Sequence, residues 1–205
     1  MDRKNVLIVS ALEQETDGQL EGYRVLHTGV GKVNAAIQLT KVLHKAHLYY
    51  LPPMPKLVIN YGTAGSKNLP IGELVSCTKF VQRDMNITQL GFYEGQTPFE
   101  SPNSMIVLST SKFNPLVKFY VCGTGDNFVE DTEKESSFIE VFDMEAYSLA
   151  KVCRDYNVPF ISFKYITDNA NEHSAKDWEE NCSDGTQLFK DKILEKLLDF
   201  DEDLL

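Results

Sequence analysis

The sequence has few basic residues and no long apolar run, and each shortage excludes a class of protein. In 205 residues, 20 Lys and Arg stand against 30 Asp and Glu, a formal net charge of -10. This balance argues against a nucleic-acid groove, because neutralising phosphates requires clustered cations. No apolar stretch approaches the roughly 20 residues of a membrane span. We therefore expect neither a nucleic acid nor a membrane as a partner.

Cysteines are also few. Cys77, Cys122, Cys153 and Cys182 lie far apart without a Cys-x-x-Cys pair, and a chain of this size does not need disulfides. The apolar run of residues 6–9 is short and leads into acidic residues, so it does not resemble a secretion signal. The sequence predicts free thiols and a cytoplasmic location. No ligand spacing suits zinc, so the sequence predicts no metal, and it gives no sign of an organic cofactor.

Apolar residues make up 42% of the chain and charged residues 24%, which predicts one domain over residues 1–205. Strands are predicted at residues 5–11, 23–27, 57–61, 72–82, 105–108, 117–122, 139–142 and 159–166, and helices at 32–47, 144–156 and 184–198. This alternation predicts an α/β fold, a three-layer α/β/α sandwich with a mixed, largely parallel central sheet. The acidic residues 199–203 are expected to form a frayed, solvated end.

The glycine pair Gly29 and Gly31 suggests a nucleotide-binding loop. A P-loop would need glycine in place of Leu26 and Ser or Thr in place of Val33, and a dinucleotide fingerprint would need glycine in place of Asn34. Both motifs are excluded. The remaining possibilities are a tight turn that brings backbone N–H groups to a ligand, or a turn alone.

Further glycines follow two other predicted strands, and carboxylates stand at three strand ends. The glycines are Gly62, Gly65, Gly123 and Gly125, and the carboxylates are Glu15, Glu145 and Asp168. In an α/β sheet, ligands bind outside the carboxyl ends of the strands, where glycine allows the backbone to come close. The sequence therefore predicts a crevice for a small molecule, bordered by carboxylates.

Eight blocks of sequence resemble a known family in their order along the chain. They are residues 11–15 (ALEQE), 28–36 (TGVGKVNAA), 60–65 (NYGTAG), 83–92 (RDMNITQLGF), 95–98 (GQTP), 124–128 (TGDNF), 142–146 (FDMEA) and 165–168 (YITD). They resemble bacterial 5'-methylthioadenosine/S-adenosylhomocysteine nucleosidase, within the wider purine nucleosidase and phosphorylase superfamily. The resemblance implies a nucleoside phosphorylase-like fold and hydrolysis of the N-glycosidic bond of an adenine nucleoside.

Breaking that bond through an oxocarbenium-like sugar requires a proton for the purine, an anion near the sugar and a base for water. By resemblance, Asp168 is the general acid that protonates purine N7, and Thr167 orients it. Glu15 binds and deprotonates the attacking water. Glu145 holds the ribose hydroxyls, with Met144 packed under the sugar. A carboxyl group that donates a proton must start protonated, which an apolar setting favours.

The resemblance also assigns the contacts of the base and of the 5' tail. Phe128 stacks on the adenine, and backbone groups at Val129 read the base edge. The 5'-thio pocket is lined by Leu12, Ile87, Leu90, Phe92 and Trp178, an apolar set that suits an uncharged thioether and disfavours a 5'-phosphate. In the family, residues 87–92 reach into the partner's site, which implies a homodimer.

Several positions depart from the family. Lys164 stands where Arg is usual near the catalytic water, and Lys cannot make a bidentate contact. Thr63 replaces a common Ser. Asp143 replaces the first Glu of Glu-Met-Glu, which implies an altered ribose contact. Residues 102–115 form a shorter stretch than usual, so a peripheral helix is expected to be missing. These departures leave the preferred 5' substituent open.

Two alternatives remain. A purine nucleoside phosphorylase would need an Arg-lined phosphate pocket, whereas the first loop offers Glu13 and Glu15 and no Arg between Arg3 and Arg24. A nucleoside-binding protein with weak or no turnover is suggested by Lys164 and by the shortened segment. The presence of all three catalytic carboxylates argues against this second alternative.

Overall fold

The computed structural model describes residues 1–50, 52–100 and 105–205. The strands are β1 (Val6–Ser10), β2 (Arg24–His27), β3 (Leu57–Gly65), β4 (Leu74–Gln82), β5 (Ile106–Leu108), β6 (Phe119–Thr124), β7 (Val141–Asp143) and β8 (Phe160–Asp168). The helices are α1 (Lys32–Tyr49), α2 (Ala146–Asp155), α3 (Ser174–Asn181), α4 (Thr186–Phe189) and α5 (Glu195–Leu198), and a π-helical segment, Lys190–Leu194, joins α4 to α5.

These strands form one mixed sheet. Strand β1 is parallel to β2 and β3, β3 is parallel to β8, and β6 is parallel to β4 and β7. Strand β4 is antiparallel to β5 and β8, and β3 is antiparallel to β7. Because β3 pairs with both β7 and β8, and β4 with both β6 and β8, the strands β3, β8, β4, β6 and β7 close into a ring. The prediction of a mixed, largely parallel sheet is confirmed.

Helices cover both faces of this sheet. The apolar residues of β1 alternate between two cores: Leu7 and Val9 belong to the first, and Val6 and Ile8 to the second. Alternate side chains of a strand point to opposite faces, so a continuous apolar strand is buried on both sides. The first core includes residues of α1 and α2, and the second includes residues of α4, α5 and the segment between them. The predicted three-layer arrangement is confirmed.

Two predicted strands are longer in the structure. The strands predicted at residues 57–61 and 117–122 extend to Gly65 in β3 and to Thr124 in β6, so Gly62, Gly65 and Gly123 lie within strands. Gly65 keeps its place in the sheet by pairing with Phe142 and Asp168. Glycine serves here to leave room beside the strand rather than to reverse the chain.

Helix α3 and the C-terminal contacts were not predicted. Helix α3 buries only Ser174, so its sequence lacks the apolar period by which a helix is detected. The prediction of a frayed end at residues 199–203 is wrong, because Glu202 accepts hydrogen bonds from Asn5 Nδ2 and Lys56 Nζ, each at 2.9 Å. Phe200 packs edge-on against Phe113, with ring centroids 5.2 Å apart.

The shortened stretch at residues 102–115 lies partly outside the described residues. From residue 105 onward it contains β5 and then irregular chain.

Within the ranges that the structure describes, the helices are too short or too polar to span a lipid bilayer.

Candidate active site

A cavity of about 280 Å³ opens where β3 and β8 end and where the loops after β1, β6 and β7 meet. It brings together most of the residues predicted for the site: Leu12, Glu15, Thr63, Gly65, Phe128, Val129, Asp143, Met144, Glu145, Asp168 and Trp178. The carboxyl ends of parallel strands are where ligands bind in α/β folds. The position of the cavity agrees with that rule.

Glu15 lies in a tight turn after β1 and is 4% exposed. Its Oε2 accepts hydrogen bonds from Ser10 Oγ (2.9 Å) and from the backbone N–H groups of Ala11 and Leu12 (3.0 Å each). Its Oε1 accepts from the backbone N–H (2.9 Å) and the hydroxyl (2.8 Å) of Thr63. An ionised carboxylate is only an acceptor, and these five donors match it.

Thr63 links Glu15 to the cavity wall. The Thr63 hydroxyl, which donates to Glu15, also accepts a hydrogen bond from Trp178 Nε1 at 2.9 Å. A Cβ atom at Gly62 would stand only 3.1 Å from Glu15 Oε1. The small residue in β3 therefore leaves the space that the carboxylate occupies.

Asp168 ends β8 and is 3% exposed. The hydroxyl of Thr167 donates to its Oδ2, and the backbone N–H of Ala170 donates to its Oδ1, both at 3.0 Å. Gly65 lies opposite in the sheet, and a Cβ atom there would overlap the Asp168 carboxyl group. Thr167 stands behind Asp168 without lining the cavity. The Asp168 carboxyl group is thus held by two neighbours in the chain and by the space that Gly65 leaves.

Lys164 and Asp143 form a buried ion pair, with Lys164 Nζ 2.8 Å from Asp143 Oδ2. Asp143 also accepts from Thr124 Oγ1 (2.5 Å) and from the backbone N–H groups of Glu145 (3.2 Å) and Ala146 (2.8 Å). Burial raises the pKa of Asp143, but the charge of Lys164 and these donors outweigh it, so the pKa lies below its ordinary value. Burial lowers the pKa of Lys164, and Asp143 more than reverses that effect.

Glu145 is 7% exposed, and its Oε1 accepts a hydrogen bond from the backbone N–H of Gly31 at 2.8 Å. Burial raises the pKa of Glu145 to about 8, and the negative charges of Asp143 and Glu15 act in the same direction, while Lys164 opposes them. Two buried carboxylates, two positions apart, therefore have opposite pKa shifts.

Apolar side chains form the rest of the wall. Phe128 and Trp178 meet edge to face with their ring centroids 6.4 Å apart. Leu12, Met144 and Val129 also border the cavity. A flat aromatic face beside apolar side chains suits stacking of a planar ring.

Some residues predicted for the site lie outside the cavity. Lys164 is 1% exposed and contacts Asp143 instead of facing the cavity space. Ile87, Leu90 and Phe92 do not line the cavity in a single chain. Leu90 is 74% exposed, and Phe92 packs edge-on against Phe99, with ring centroids 5.7 Å apart.

The cavity also contains residues that sequence reasoning did not assign to the site, among them Val30, Arg83 and Asn127. Arg83 is 6% exposed and pairs with Glu135 at 3.0 Å. The sequence did contain a signal for these residues, since Arg83 opens one of the eight blocks that resemble the family and Asn127 directly precedes Phe128. Their proximity depends on the pairing of β4 with β6, which the sequence does not reveal.

Comparison with known proteins supports this picture. The family description "Phosphorylase superfamily" matches residues 17–199. A 5'-methylthioadenosine/S-adenosylhomocysteine nucleosidase of Shewanella piezotolerans is 31% identical over 183 residues, covering 80% of this chain and 76% of the relative. A nucleosidase with the same name from Bacillus thuringiensis subsp. konkukian is 30% identical over 204 residues, covering 89% and 85%.

The fold is similar to that of a solved structure that bears the same nucleosidase name. The crystal structure of Helicobacter pylori 5'-methylthioadenosine/S-adenosylhomocysteine nucleosidase, complexed with a substituted pyrrolidin-3-ol, has a TM-score of 0.77 at 22% identity, covering 95% of this chain and 97% of that one. The family resemblance drawn from the eight blocks is confirmed. The chain belongs to the phosphorylase superfamily and, within it, to the family of 5'-methylthioadenosine/S-adenosylhomocysteine nucleosidases, which are N-glycosyl hydrolases.

Proposed function

We propose that the chain hydrolyses the N-glycosidic bond of 5'-methylthioadenosine, S-adenosylhomocysteine or a related adenine nucleoside, and releases adenine. The observation that carries the proposal is that Asp168 and Glu15 border the same cavity. Two carboxyl groups in different surroundings suit one proton donor and one base. Relatives that bear the nucleosidase name support the choice of substrates.

In the proposed reaction, the electron pair of the N9–C1' bond moves onto the purine while Asp168 gives its proton to N7. Positive charge develops on the sugar, and the charge of Glu15 stabilises it. Glu15 takes a proton from the water whose oxygen bonds to C1'. The products are adenine and the free sugar, and solvent returns the proton from Glu15 to Asp168.

Glu145 is proposed to accept hydrogen bonds from the ribose hydroxyls, and Phe128 to stack on the base. Lys164 then acts through Asp143 rather than on the water, because its ammonium group is bonded to that carboxylate. Asp143 holds the backbone N–H groups of Glu145 and Ala146 at the start of α2. We therefore assign Lys164 and Asp143 as positioning residues for Glu145.

Water is favoured over phosphate as the attacking group. Among the described residues that border the cavity, Arg83 is the sole Lys or Arg, and it is already paired with Glu135. A phosphate dianion beside Glu15 would be repelled. Phosphorolysis therefore lacks the cationic pocket that it needs.

We also propose that the protein is a cytoplasmic homodimer in which residues 87–92 complete the partner's 5' pocket. Leu90, Tyr93 and Phe99 are 74%, 77% and 97% exposed, and a second copy would cover these apolar side chains. The four cysteines are free, and three are buried, as in a protein of a reducing compartment.

The test is a substrate panel of 5'-methylthioadenosine, S-adenosylhomocysteine and 5'-deoxyadenosine, each with and without phosphate, analysed by chromatography. We expect adenine release that is independent of phosphate. Phosphate-dependent formation of a ribose 1-phosphate would establish a phosphorylase. Tight binding by calorimetry with no product over hours, while a control nucleosidase works, would establish a binding protein.

A further inference from the structure

Arg83 and Asp84 are absent from the proposed chemistry, yet both contact the loop that carries Phe128. We call residues 124–129 the base loop. The backbone N–H of Arg83 donates to the carbonyl oxygen of Thr124, at the start of this loop, at 3.0 Å. Two consecutive residues after β4 thus adjoin the segment that faces the proposed nucleobase.

The Arg83 guanidinium group holds the inner side of the base loop. Its Nη2 donates to the carbonyl oxygen of Asn127, and its Nη1 donates to Glu135 at 3.0 Å. Its Nε is buried and has no partner among the described residues. A buried unpaired donor costs stability. The side chain therefore keeps its hydrogen bonds to the Asn127 carbonyl group and to Glu135 at the expense of its own Nε–H.

The loop backbone lies against this guanidinium group. A Cβ atom at Gly125 would stand 2.6 Å from Arg83 Cζ and 2.9 Å from its Nε. No side chain fits at that position unless the arginine moves. The glycine and the arginine therefore fix the path of the base loop together.

The Asp84 carboxylate holds the outer side of the base loop. Its Oδ2 accepts from the backbone N–H of Asp126 at 3.0 Å and from Lys32 Nζ. Asp126 Oδ1 in turn accepts from the backbone N–H of Lys32 at 2.9 Å. The preceding N–H, that of Gly31, donates to Glu145. The base loop is thereby connected to the carboxyl group that is proposed to hold the ribose.

We propose that Arg83 and Asp84 are positioning residues that set the base loop, and with it the stacking face of Phe128 and the backbone of Val129, for the nucleobase. The inference rests on the proposed function, since base binding is what this loop would serve. Loss of Arg83 would free the Asn127 carbonyl group and let Phe128 shift. Binding of the base would weaken, while the Asp168 and Glu15 groups would stay in place.

The chain's single tryptophan, Trp178, provides a direct probe, because it touches Phe128. We would titrate adenine into wild type, Arg83→Met, Arg83→Lys, Asp84→Asn and the exposed control Arg154→Met, following Trp178 fluorescence. We expect Arg83→Met to weaken adenine binding about tenfold, as for loss of one charge-assisted hydrogen bond. The Arg83→Lys variant should fall between Arg83→Met and wild type, because lysine keeps one donor but not the planar pair.

Steady-state kinetics with 5'-methylthioadenosine supply the second readout. Arg83→Met should raise KM by a factor similar to that for adenine binding and change kcat by less than about threefold, because uniform binding is lost. Asp84→Asn should show a smaller change in the same direction, and Arg154→Met none.

The outcomes separate the two proposals. If wild type neither cleaves the nucleosides nor binds adenine, the proposed function fails and the inference falls with it. If wild type does both and Arg83→Met has the same adenine affinity and KM, the inference alone is overturned. If Arg83→Met does not fold by circular dichroism, unchanged adenine affinity in Arg83→Lys and Asp84→Asn overturns it.

Discussion

The four carboxyl groups of the cavity and the apolar segment at residues 87–92 are built in opposite ways. Asp143, Glu145, Asp168 and Glu15 are at most 7% exposed, and each accepts hydrogen bonds from its own chain. Residues 87–92 do not line the cavity, and Leu90 is 74% exposed. One chain therefore fixes the groups proposed for bond cleavage and leaves an apolar surface uncovered.

The difference follows from the cost of each kind of group. A buried carboxylate without partners is expensive, so the chain must supply every donor when it folds. An exposed apolar side chain only forgoes the stabilisation that comes from removing its surface from water. A second molecule that covers the side chain can supply that stabilisation later. We expect changes at the carboxyl groups to affect a single chain, and changes at residues 87–92 to act through assembly.

The largest effect is expected from Asp168→Asn. The amide oxygen can still accept from the backbone N–H of Ala170, and the amide NH2 can donate to the Thr167 hydroxyl oxygen, so the fold should persist. The amide has no acidic proton to give to the purine. We expect kcat to fall by about 10²–10⁴-fold, the usual worth of a general acid. Turnover of 5'-methylthioadenosine measures this, with the exposed Glu172→Gln as the matched control. Wild-type turnover in the asparagine variant would remove Asp168 from the mechanism.

The next largest effect concerns stability. Lys164→Met leaves Asp143 charged, buried and without its cation, so we expect the free energy of unfolding to fall by about 3–5 kcal/mol. Urea denaturation measures the loss, and the exposed Lys176→Met is the control. Adding Asp143→Asn to Lys164→Met should restore part of the stability. If Lys164→Met is as stable as wild type, the ion pair does not hold this part of the site.

Leu90→Glu tests the other side of the comparison. Leu90 is largely exposed in one chain, so the substitution should leave the fold intact but place a charge where a partner is proposed to sit. We expect dissociation to monomers and a loss of about 10–100-fold in kcat/KM, because this factor corresponds to the free energy gained when one leucine side chain is buried.

Sedimentation measures the oligomeric state of Leu90→Glu, and kinetics measure its kcat/KM. The control is Val117→Glu, because Val117 is 91% exposed in the wild type. A monomeric wild type with full activity would contradict the proposed role of residues 87–92.

The sequence predicted best those features that are local. The apolar run in β1 and the helical period of α1 identified both elements, and the structure brings Glu15, Glu145 and Asp168 to one cavity as the rule of strand ends suggests. The pairing of Lys164 with Asp143 was not predictable. It joins β8 to β7, two strands that do not pair with each other and meet only because β3 pairs with both. The closure of the ring, not a sequence pattern, makes that contact.

The smallest predicted effect is a pH dependence of binding. Burial, reinforced by Asp143 and Glu15, raises the pKa of Glu145 from its ordinary 4.5 to about 8. Between these values the folded chain keeps a proton that the unfolded chain has lost. The contribution of Glu145 to the free energy of unfolding therefore falls as the pH rises from 4.5 to 8.

Ligand binding should reverse this shift, because ribose hydroxyls that donate to Glu145 favour its ionised form. Affinity for a nucleoside analogue that resists cleavage should then rise about tenfold between pH 7 and 9, since the ionised fraction of Glu145 rises by that factor. Calorimetry in two buffers of different ionisation enthalpy should also detect a proton released on binding at pH 7. Glu145→Gln should abolish both effects while Glu172→Gln keeps them. An affinity that is flat across this range in wild type would mean that the ribose is held by other groups.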